Sequence, residues 1–499
     1  MDKGGIFLRV PIFYSALLLT CVNLLLRFVG TSFQVYLSGQ IGAAGIGLLQ
    51  LVMSVNGFAV VAGIAGIRTG TMYLTAEELG RNRKEHIRPV LSGCFAYSIL
   101  FSCTAAAVLY FSAPSIAQSW IGNVNTAEAL QLFAAFLPVI CLANVMTGYF
   151  TAANRIGTLA AVEVVEQILS MVITVSLLKS WAGSDPVRAC QSVILGSCSA
   201  SCLTLACLIG LHIPEKMPPG RKLPMAHRLA DTALPLALAD VLKSGINTTE
   251  NLMVPKRLAL NKYTTDPLAA FGTLSGMVFP VLMFPACILF GLAELLIPEL
   301  ARCAAANSRG RISYLVQKSL RIAMLYGLLF GGLEFLLADW LCASLYKSTD
   351  AVHFLRLYAL LIPMLYCDAI TDAMTKGLGQ QKICVRYNIL TSAMDVIFLW
   401  LLLPRYGMTG YFLSFIITHL INFLLSLRLL LRITDEHIPF YTPALSVTTV
   451  ILAVWGAGFF PCPAAKITAY LMLLGSLLCL FRITGWEDIL WLRGLLRKK

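Results

Sequence analysis

Charged residues are scarce in this chain: 13% of its 499 residues are charged and 58% are hydrophobic. Soluble domains carry about 25% charged residues, and the mean hydropathy of +0.78 lies far on the apolar side. A polar stretch of domain size is also missing, which excludes a soluble catalytic domain. These shortages predict a protein that lies in a membrane.

Motifs of catalytic and metal sites are equally absent from the sequence. It contains no HExxH helix, no G-x-S-x-G elbow and no Walker-type lysine loop, and its 6 histidines are scattered. Its 15 cysteines form no C-x-x-C pair, and most lie within apolar runs, where they are typical of small buried side chains. We therefore predict that the protein is not an enzyme and holds neither a metal nor a cofactor.

Apolar runs of about 20 residues, each long enough to cross a bilayer as a helix, recur along the whole chain. The first run is longer than a signal peptide and lacks a small-residue cleavage site, so we expect it to be retained as the first span. The pattern predicts an all-α polytopic membrane protein of about 14 transmembrane helices. The predicted spans lie near residues 10–38, 46–76, 90–112, 129–153, 157–180, 190–212, 231–254, 270–300, 319–342, 352–378, 384–403, 408–431, 440–460 and 465–482.

Lysine and arginine concentrate in the loops on one side of these spans. Basic clusters occupy 80–88, 215–228 and 307–318, whereas the loop 112–129 contains neither residue type. By the positive-inside rule, both termini face the cytoplasm. The net charge of +13 then predicts contact with anionic membrane lipids and no nucleic-acid partner. The outer segment 255–262 carries cations against the rule and is a further candidate site.

Two pairs of segments indicate an internal repeat. "LTAEELGRNRKEHI" (74–87) is echoed by "LIPELARCAAANSRGRI" (296–312), and the layout of 137–157 returns in 362–382. Each echo comes six spans later, an even number, so the halves share one topology about a pseudo-twofold axis along the membrane normal. The predicted parts are an N-lobe (1–212, spans 1–6), a cytoplasmic linker (213–230), a C-lobe (231–432, spans 7–12), spans 13–14 (433–484) and an amphipathic basic tail (485–499).

Charged side chains inside the spans are the candidate functional residues, since a cation at mid-membrane costs about 2.5–3.5 kcal/mol on insertion scales. At 100° per residue, one helix face carries a polar stripe in each of two spans. The stripe of span one is Asn23, Arg27 and Gln34, and the stripe of span seven is Asp240, Lys243, Asn247 and Glu250. If these spans are equivalent, their cations face a common space, which Arg68 of span two joins. The substrate-binding candidates are Arg27, Arg68, Lys243, Asn23 and Gln34, and the candidate charge partners or coupling groups are Glu163, Glu166, Asp240, Glu250 and Asp395.

Two interpretations of these cations stay open. In the first, Arg27 pairs with Glu163 or Glu166, Lys243 pairs with Asp240 or Glu250, and the pairs only hold helices together. In the second, the cations border a hydrated cavity and bind an anionic group of the substrate. The acids Glu334, Asp368, Asp372 and Asp395 could bind a coupling proton or sodium ion, although helix-end solvation also accounts for Asp368 and Asp372.

Two backbone features are predicted between and within the spans. "IGAAGIG" (41–47) follows a span rather than a strand, so we expect a tight outer turn and no phosphate loop. Pro280 and Pro285 break the hydrogen-bond ladder of span eight, which predicts either a flexing point or a static kink.

Four stretches in register carry a family resemblance: "RFVGTSFQVYLSGQIGAAGIGLLQL" (27–51), "GYFTAANRIGTLAAVEVVEQ" (148–167), "LMVPKRL" (252–258) and "FGTLSGMVFPVLMFP" (271–285). They resemble the stage V sporulation protein B-like polysaccharide flippases of the multidrug/oligosaccharidyl-lipid/polysaccharide exporter superfamily, which includes lipid II flippases. The resemblance implies two six-helix lobes plus two extra helices in a bacterial plasma membrane. It also implies alternating-access export of an undecaprenyl-pyrophosphate-linked oligosaccharide or peptidoglycan precursor, with first-span arginines on the pyrophosphate.

Only Arg27 carries over directly from that pattern. Gln34 stands where similar proteins have a second arginine, and "AGIA" (62–65) stands where "AGIP" is usual. Three other functions remain: a multidrug cation antiporter, which would favour an acidic cavity, a membrane glycosyltransferase or glycan polymerase, which would need a sizeable outer loop, and a scaffold that transports nothing.

Overall fold

The computed structural model describes residues 9–481 except 82, 154, 184, 213–224, 348 and 437–440. These residues form helices and short connections, without a strand, so the prediction of an all-α fold is confirmed. Most of the predicted linker and the whole basic tail 485–499 lie outside the described residues.

The helices are numbered here in chain order. They are α1 (Arg9–Ile64), α2 (Ile67–Gly80), α3 (Ile87–Ile116), α4 (Thr126–Ala152), α5 (Ile156–Leu177), α6 (Pro186–His212), α7 (Met225–Leu258), α8 (Pro267–Gly272), α9 (Phe279–Met283), α10 (Ala286–Ala305), α11 (Arg309–Tyr346), α12 (Val352–Ala359), α13 (Ile362–Gly377), α14 (Gln381–Tyr406), α15 (Met408–Thr434), α16 (Tyr441–Gly458) and α17 (Pro463–Leu480). Single π-helical turns follow α3, α5 and α8 at Ala117–Ile121, Leu178–Ala182 and Thr273–Val278.

The predicted multi-pass character is confirmed by these helices. In the described part of the chain, 9 helices are long and apolar enough to cross a membrane, or 11 when two bent pairs each count as one span. The lower number has a simple cause, because α1 with α2 contains two of the predicted spans. A further predicted span, α7, carries a polar stripe, and another, α16, has only a short described apolar stretch.

Glycine makes the bend between the first two spans. α1 runs through the predicted turn "IGAAGIG" and departs from helical geometry only at Gly42, with φ of 69°. A side chain there would be strained, since positive φ suits glycine. The predicted tight turn is therefore a one-residue kink between two nearly continuous helices.

Span two is broken near its middle. Ala65 and Gly66 both have positive φ, 43° and 72°, and the chain resumes as α2 at Ile67. Tyr97 of α3 donates its hydroxyl to the Ala65 carbonyl oxygen at 3.1 Å, which satisfies an acceptor that the break removes from the helix ladder. The position of this break decides the surroundings of Arg68.

The predicted break of span eight is confirmed, since α9 ends at Met283 and α10 begins at Ala286 after Pro285. Tyrosine hydroxyls cap two carbonyl groups beside the break. Tyr366 donates to the Leu282 oxygen and Tyr326 to the Pro285 oxygen, each at 2.8 Å. Both freed acceptors are thus satisfied in a buried setting, which favours the static kink.

The chain divides into two compact units. The first covers the chain up to Gly276 together with Ser392–Ser414, and the second covers Met277–Thr391 together with the chain from Phe415. The first unit includes α7 and α8 beside the first six predicted spans. The lobe boundaries at 212, 231 and 432 stay a prediction.

Candidate functional site

Arg68 lies in the first turn of α2, immediately after the break of span two. The helix begins without a side-chain cap and without an acidic residue in its first turn. Its first backbone N–H groups therefore lack the partners that a capping side chain would supply, and they carry the positive end of the helix dipole. A cation placed there adds to this positive potential, so the start of α2 suits an anion.

Glu163 of α5 is the carboxylate closest to this group. The shortest distance from an Arg68 guanidinium nitrogen to a Glu163 oxygen is 4.0 Å, and 55% of the Arg68 side chain is exposed. At that distance the contact is a weak ion pair rather than a direct hydrogen bond. Arg68, and not Arg27 as one interpretation expected, therefore lies beside Glu163. Its guanidinium keeps room for a second anion.

Glu166, one turn further along α5, is engaged elsewhere. It accepts a 2.7 Å hydrogen bond from the hydroxyl of Ser201 on α6. Because α5 and α6 pack side by side, this bond fixes Glu166 within the helix pair. The structure thus assigns Glu166 a packing contact rather than the predicted partnership with Arg27.

The structure describes the side chains of two members of the span-one stripe, Arg27 and Gln34. Arg27 is exposed on α1, and Gln34 donates its Nε2 group to the Gly276 carbonyl oxygen at 3.3 Å. Gln34 therefore joins α1 to the end of the π-helical turn after α8. The side chain of Asn23 lies outside the described part of the structure.

The stripe of span seven is exposed except at Glu250, which is half-buried. Asp240, Lys243 and Asn247 of α7 all have exposed side chains. Within the described residues, Lys243 pairs with neither Asp240 nor Glu250, contrary to the first interpretation. Asp240 is exposed on the surface of α7, and Glu250 faces another acid, Asp395.

Helix α7 packs against the second half of α1 on its less charged side. Gly245 lies against the ring of Phe58, and Thr248 donates its hydroxyl to the Ser54 carbonyl oxygen at 3.1 Å. Asn251 donates its Nδ2 group to the Ser54 hydroxyl at 3.0 Å. These contacts hold α7 beside the part of α1 that follows the kink at Gly42, whereas Arg27 lies before that kink.

Glu250 and Asp395 form a carboxyl pair between α7 and α14. The two side chains are close enough to interact, and Ser414 of α15 donates its hydroxyl to Asp395 Oδ1 at 2.5 Å. Residues 145 positions apart in the chain are brought together here. No local sequence signal marked them as a pair.

The cations of the outer segment 255–262 contact aromatic rings. Lys256 Nζ lies 5.1 Å from the centre of the Trp120 ring, and the Arg257 guanidinium carbon lies 4.3 Å from that of Trp400. Arg257 also donates from NH2 to the Trp400 carbonyl oxygen at 2.8 Å. Cation–π contacts of this kind stabilise charge at a membrane interface. They give this predicted candidate site an anchoring role.

Acids of the second unit are held within it. Asn422 of α15 donates its Nδ2 group to Asp368 of α13, at 3.1 Å and 3.3 Å to the two carboxylate oxygens, and Asp372 pairs with Lys376 at 2.5 Å. Glu334 of α11 differs, since its buried carboxyl oxygens have no hydrogen-bond partner among the described residues. Asp368 is therefore half-buried and bonded to Asn422, rather than solvated at a helix end as one interpretation expected.

Comparisons with known proteins find similar sequences. The family model described as "Polysaccharide biosynthesis protein" matches residues 42–264. Stage V sporulation protein B of Bacillus subtilis (strain 168) is 20% identical over 452 residues, which cover 88% of this chain and 87% of that protein.

The resemblance to the exporter superfamily is confirmed. Two solved structures share the fold with low sequence identity. An inward-facing multidrug resistance MATE transporter of the MOP superfamily has a TM-score of 0.68 at 16% identity, covering 85% of this chain and 100% of that chain. The lipid II flippase MurJ in an inward closed conformation has a TM-score of 0.64 at 14% identity, covering 97% and 100%.

Proposed function

We propose that the protein exports an undecaprenyl-pyrophosphate-linked oligosaccharide or peptidoglycan precursor across a bacterial plasma membrane by alternating access. Arg27, Arg68 and Lys243 bind the pyrophosphate, with Asn23 and Gln34 beside them. The observation that carries this proposal is the position of Arg68 at the uncapped start of α2, largely exposed and only loosely paired. The likeness to stage V sporulation protein B and to a lipid II flippase supports the substrate class.

The membrane potential favours this direction of transport. A pyrophosphate diester carries about two negative charges, and moving them outward across an inside-negative potential releases about 4–5 kcal/mol per 100 mV. In the proposed orientation both termini are cytoplasmic, so the cations load substrate from the inner leaflet. No covalent step is needed, and the protein acts as a transporter rather than an enzyme.

A coupling proton belongs to this proposal. The Glu250–Asp395 pair holds a proton while its carboxyl groups remain in contact, and separation of α7 from α14 would release it. Proton uptake from outside and release inside would then accompany export. A sodium ion at the same oxygens is the competing choice.

The test is a flipping assay in proteoliposomes with nitrobenzoxadiazole-labelled lipid II as the probe. We expect R27Q and R68Q each to lower the export rate about 100-fold, because each removes a charge-assisted contact worth about 1.5–3 kcal/mol. R302Q is the matched control: Arg302 is 71% exposed and pairs with Glu299 at the end of α10. The R302Q rate should match the unmodified protein.

The folded state is monitored separately by the melting temperature in detergent, which should stay the same in all three variants. Undiminished export by R27Q and R68Q would overturn the pyrophosphate site. Transport of a cationic dye by the unmodified protein, with no export of the labelled lipid, would replace the proposal with the multidrug antiporter.

A further inference from the structure

A small cavity lies in the second unit, far along the chain from the residues of the proposed transport path. Its volume is about 270 Å³, and its walls come from the end of α11, the connection after α16 and the start of α17. The lining residues are Leu336, Leu337, Asp339, Trp340, Pro461, Pro463 and Lys466. By the predicted orientation, this is the outer end of spans 9, 13 and 14.

The cavity has one uncompensated charge. The Asp339 carboxylate is paired with the Arg356 guanidinium of α12, whereas no acidic side chain of the described residues pairs with Lys466. Lys466 lies in the first turn of α17, which has no acidic residue there and no side-chain cap. A lysine at this end of a helix opposes the helix dipole, so the local potential is positive.

The walls of the cavity are suited to a group that is polar at one end and apolar at the other. Leu336 and Leu337 are each 8% exposed and provide a packed apolar wall, whereas Trp340 is 49% exposed at the rim. A half-exposed tryptophan beside a lysine is typical of the headgroup level of a bilayer. Pro461 and Pro463 restrict the backbone of the connection that leads into α17.

From this arrangement we propose that the cavity binds a phosphate group, which Lys466 contacts, and that an apolar stem attached to the phosphate packs against Leu336 and Leu337. The phosphate of an outer-leaflet phospholipid and free inorganic phosphate share this chemistry. The site is separate from the three transport cations, and its occupancy does not depend on the proposed export.

The experiment is native mass spectrometry of the full chain in detergent, titrated separately with phosphatidylglycerol, diacylglycerol and inorganic phosphate. Diacylglycerol has the same tails without the phosphate. We expect saturable phosphatidylglycerol binding that weakens about tenfold in K466Q, since one charge-assisted hydrogen bond is lost. The control K179Q removes an exposed lysine that does not line the cavity, and it should leave binding unchanged.

The titrations distinguish a lipid phosphate from free phosphate, and they also show whether the site exists. Lysine-dependent binding of phosphatidylglycerol that inorganic phosphate does not displace supports a lipid phosphate, and displacement supports free phosphate. Equal binding of diacylglycerol, or equal weakening in K466Q and K179Q, would overturn the site. W340L is a second test variant. It should weaken binding of the lipid and leave binding of inorganic phosphate unchanged.

Discussion

The two compact units differ in the exposure of the charged side chains compared here: the cations of the first unit are exposed, and the acids of the second are half-buried or buried. In the first unit, Arg27, Arg68 and Lys243 are exposed, and the only ion pair resolved at Arg68 is long. In the second unit, Asp368 and Glu334 are half-buried or buried, and Asp368 is held by an amide donor. Exposed cations in spans are costly unless a ligand or water compensates them, whereas buried acids with donors stabilise packing. This difference supports the proposal that ligand binding takes place in the first unit, whereas Asp368 of the second unit contributes to helix packing.

The largest expected effect on stability lies in the second unit, at Asn422. N422A leaves the half-buried Asp368 without its amide donor, and the free energy of unfolding should fall by about 2 kcal/mol. Thermal melts in detergent measure the change, with N388A as control, because the Asn388 amide bonds only to a carbonyl of its own helix. A melting temperature equal to that of the unmodified protein would show that Asp368 does not hold helices together.

Glu250 provides a comparison in the first unit, since no basic side chain of the described residues pairs with it. Exchange of one proton for one substrate gives a tenfold change in the leaflet ratio per pH unit of gradient. With the outside acidic, we expect the steady-state outward ratio of labelled lipid II to rise about tenfold per unit in the unmodified protein. In E250Q the ratio should not respond to the gradient.

The control for Glu250 is D240N, since Asp240 is exposed on the same helix. D240N should respond to the pH gradient as the unmodified protein does. A sodium gradient that drives the ratio, while a pH gradient does not, would assign the pair to sodium.

Glu334 is the exception within the second unit, and its replacement sharpens the comparison. A buried carboxyl group without a hydrogen-bond partner costs free energy, so E334L should raise the free energy of unfolding by about 1 kcal/mol. The melting temperature checks the sign, and E334Q, which keeps a polar group at the site, should give a smaller change. Destabilisation by E334L would mean that Glu334 contributes to a polar network and resembles Asp368.

The smallest effect on stability is expected at Lys256, a cation of the first unit that already contacts the Trp120 ring. A double-mutant cycle of K256Q and W120L should give a coupling energy of about 0.5–1 kcal/mol, the magnitude of exposed cation–π contacts. The export rate of K256Q should equal that of the unmodified protein. A loss of export as large as that of R27Q would return the segment 255–262 to the substrate site.

Sequence patterns predicted the elements well because apolar length and glycine or proline breaks are local. The kink at Gly42 and the break before Pro285 follow directly from residue type. The break at Gly66 was marked only as a departure from a family motif, although an Ala-Gly pair at positive φ produces it. That break places Arg68 at a helix start, which periodicity along a continuous span does not predict.

Pairings across the chain were harder to predict. Helical phase grouped Lys243 with Glu250 on one arc of α7, but the contact of Glu250 is made by α14, which a single-helix argument does not include. The same limit applies to Glu166 and Ser201, whose bond depends on how α5 meets α6. Residues of one helix face could be predicted, and their partners on neighbouring helices could not.

The most direct measurement is the equilibrium binding of undecaprenyl pyrophosphate to the full chain in detergent, by calorimetry, with undecaprenol as the phosphate-free control. The unmodified protein should bind the pyrophosphate at least about 100-fold more tightly than the alcohol, and the triple variant R27Q/R68Q/K243Q should bind both equally. Equal affinity of the unmodified protein for both lipids, or an unchanged preference in the triple variant, would contradict the account.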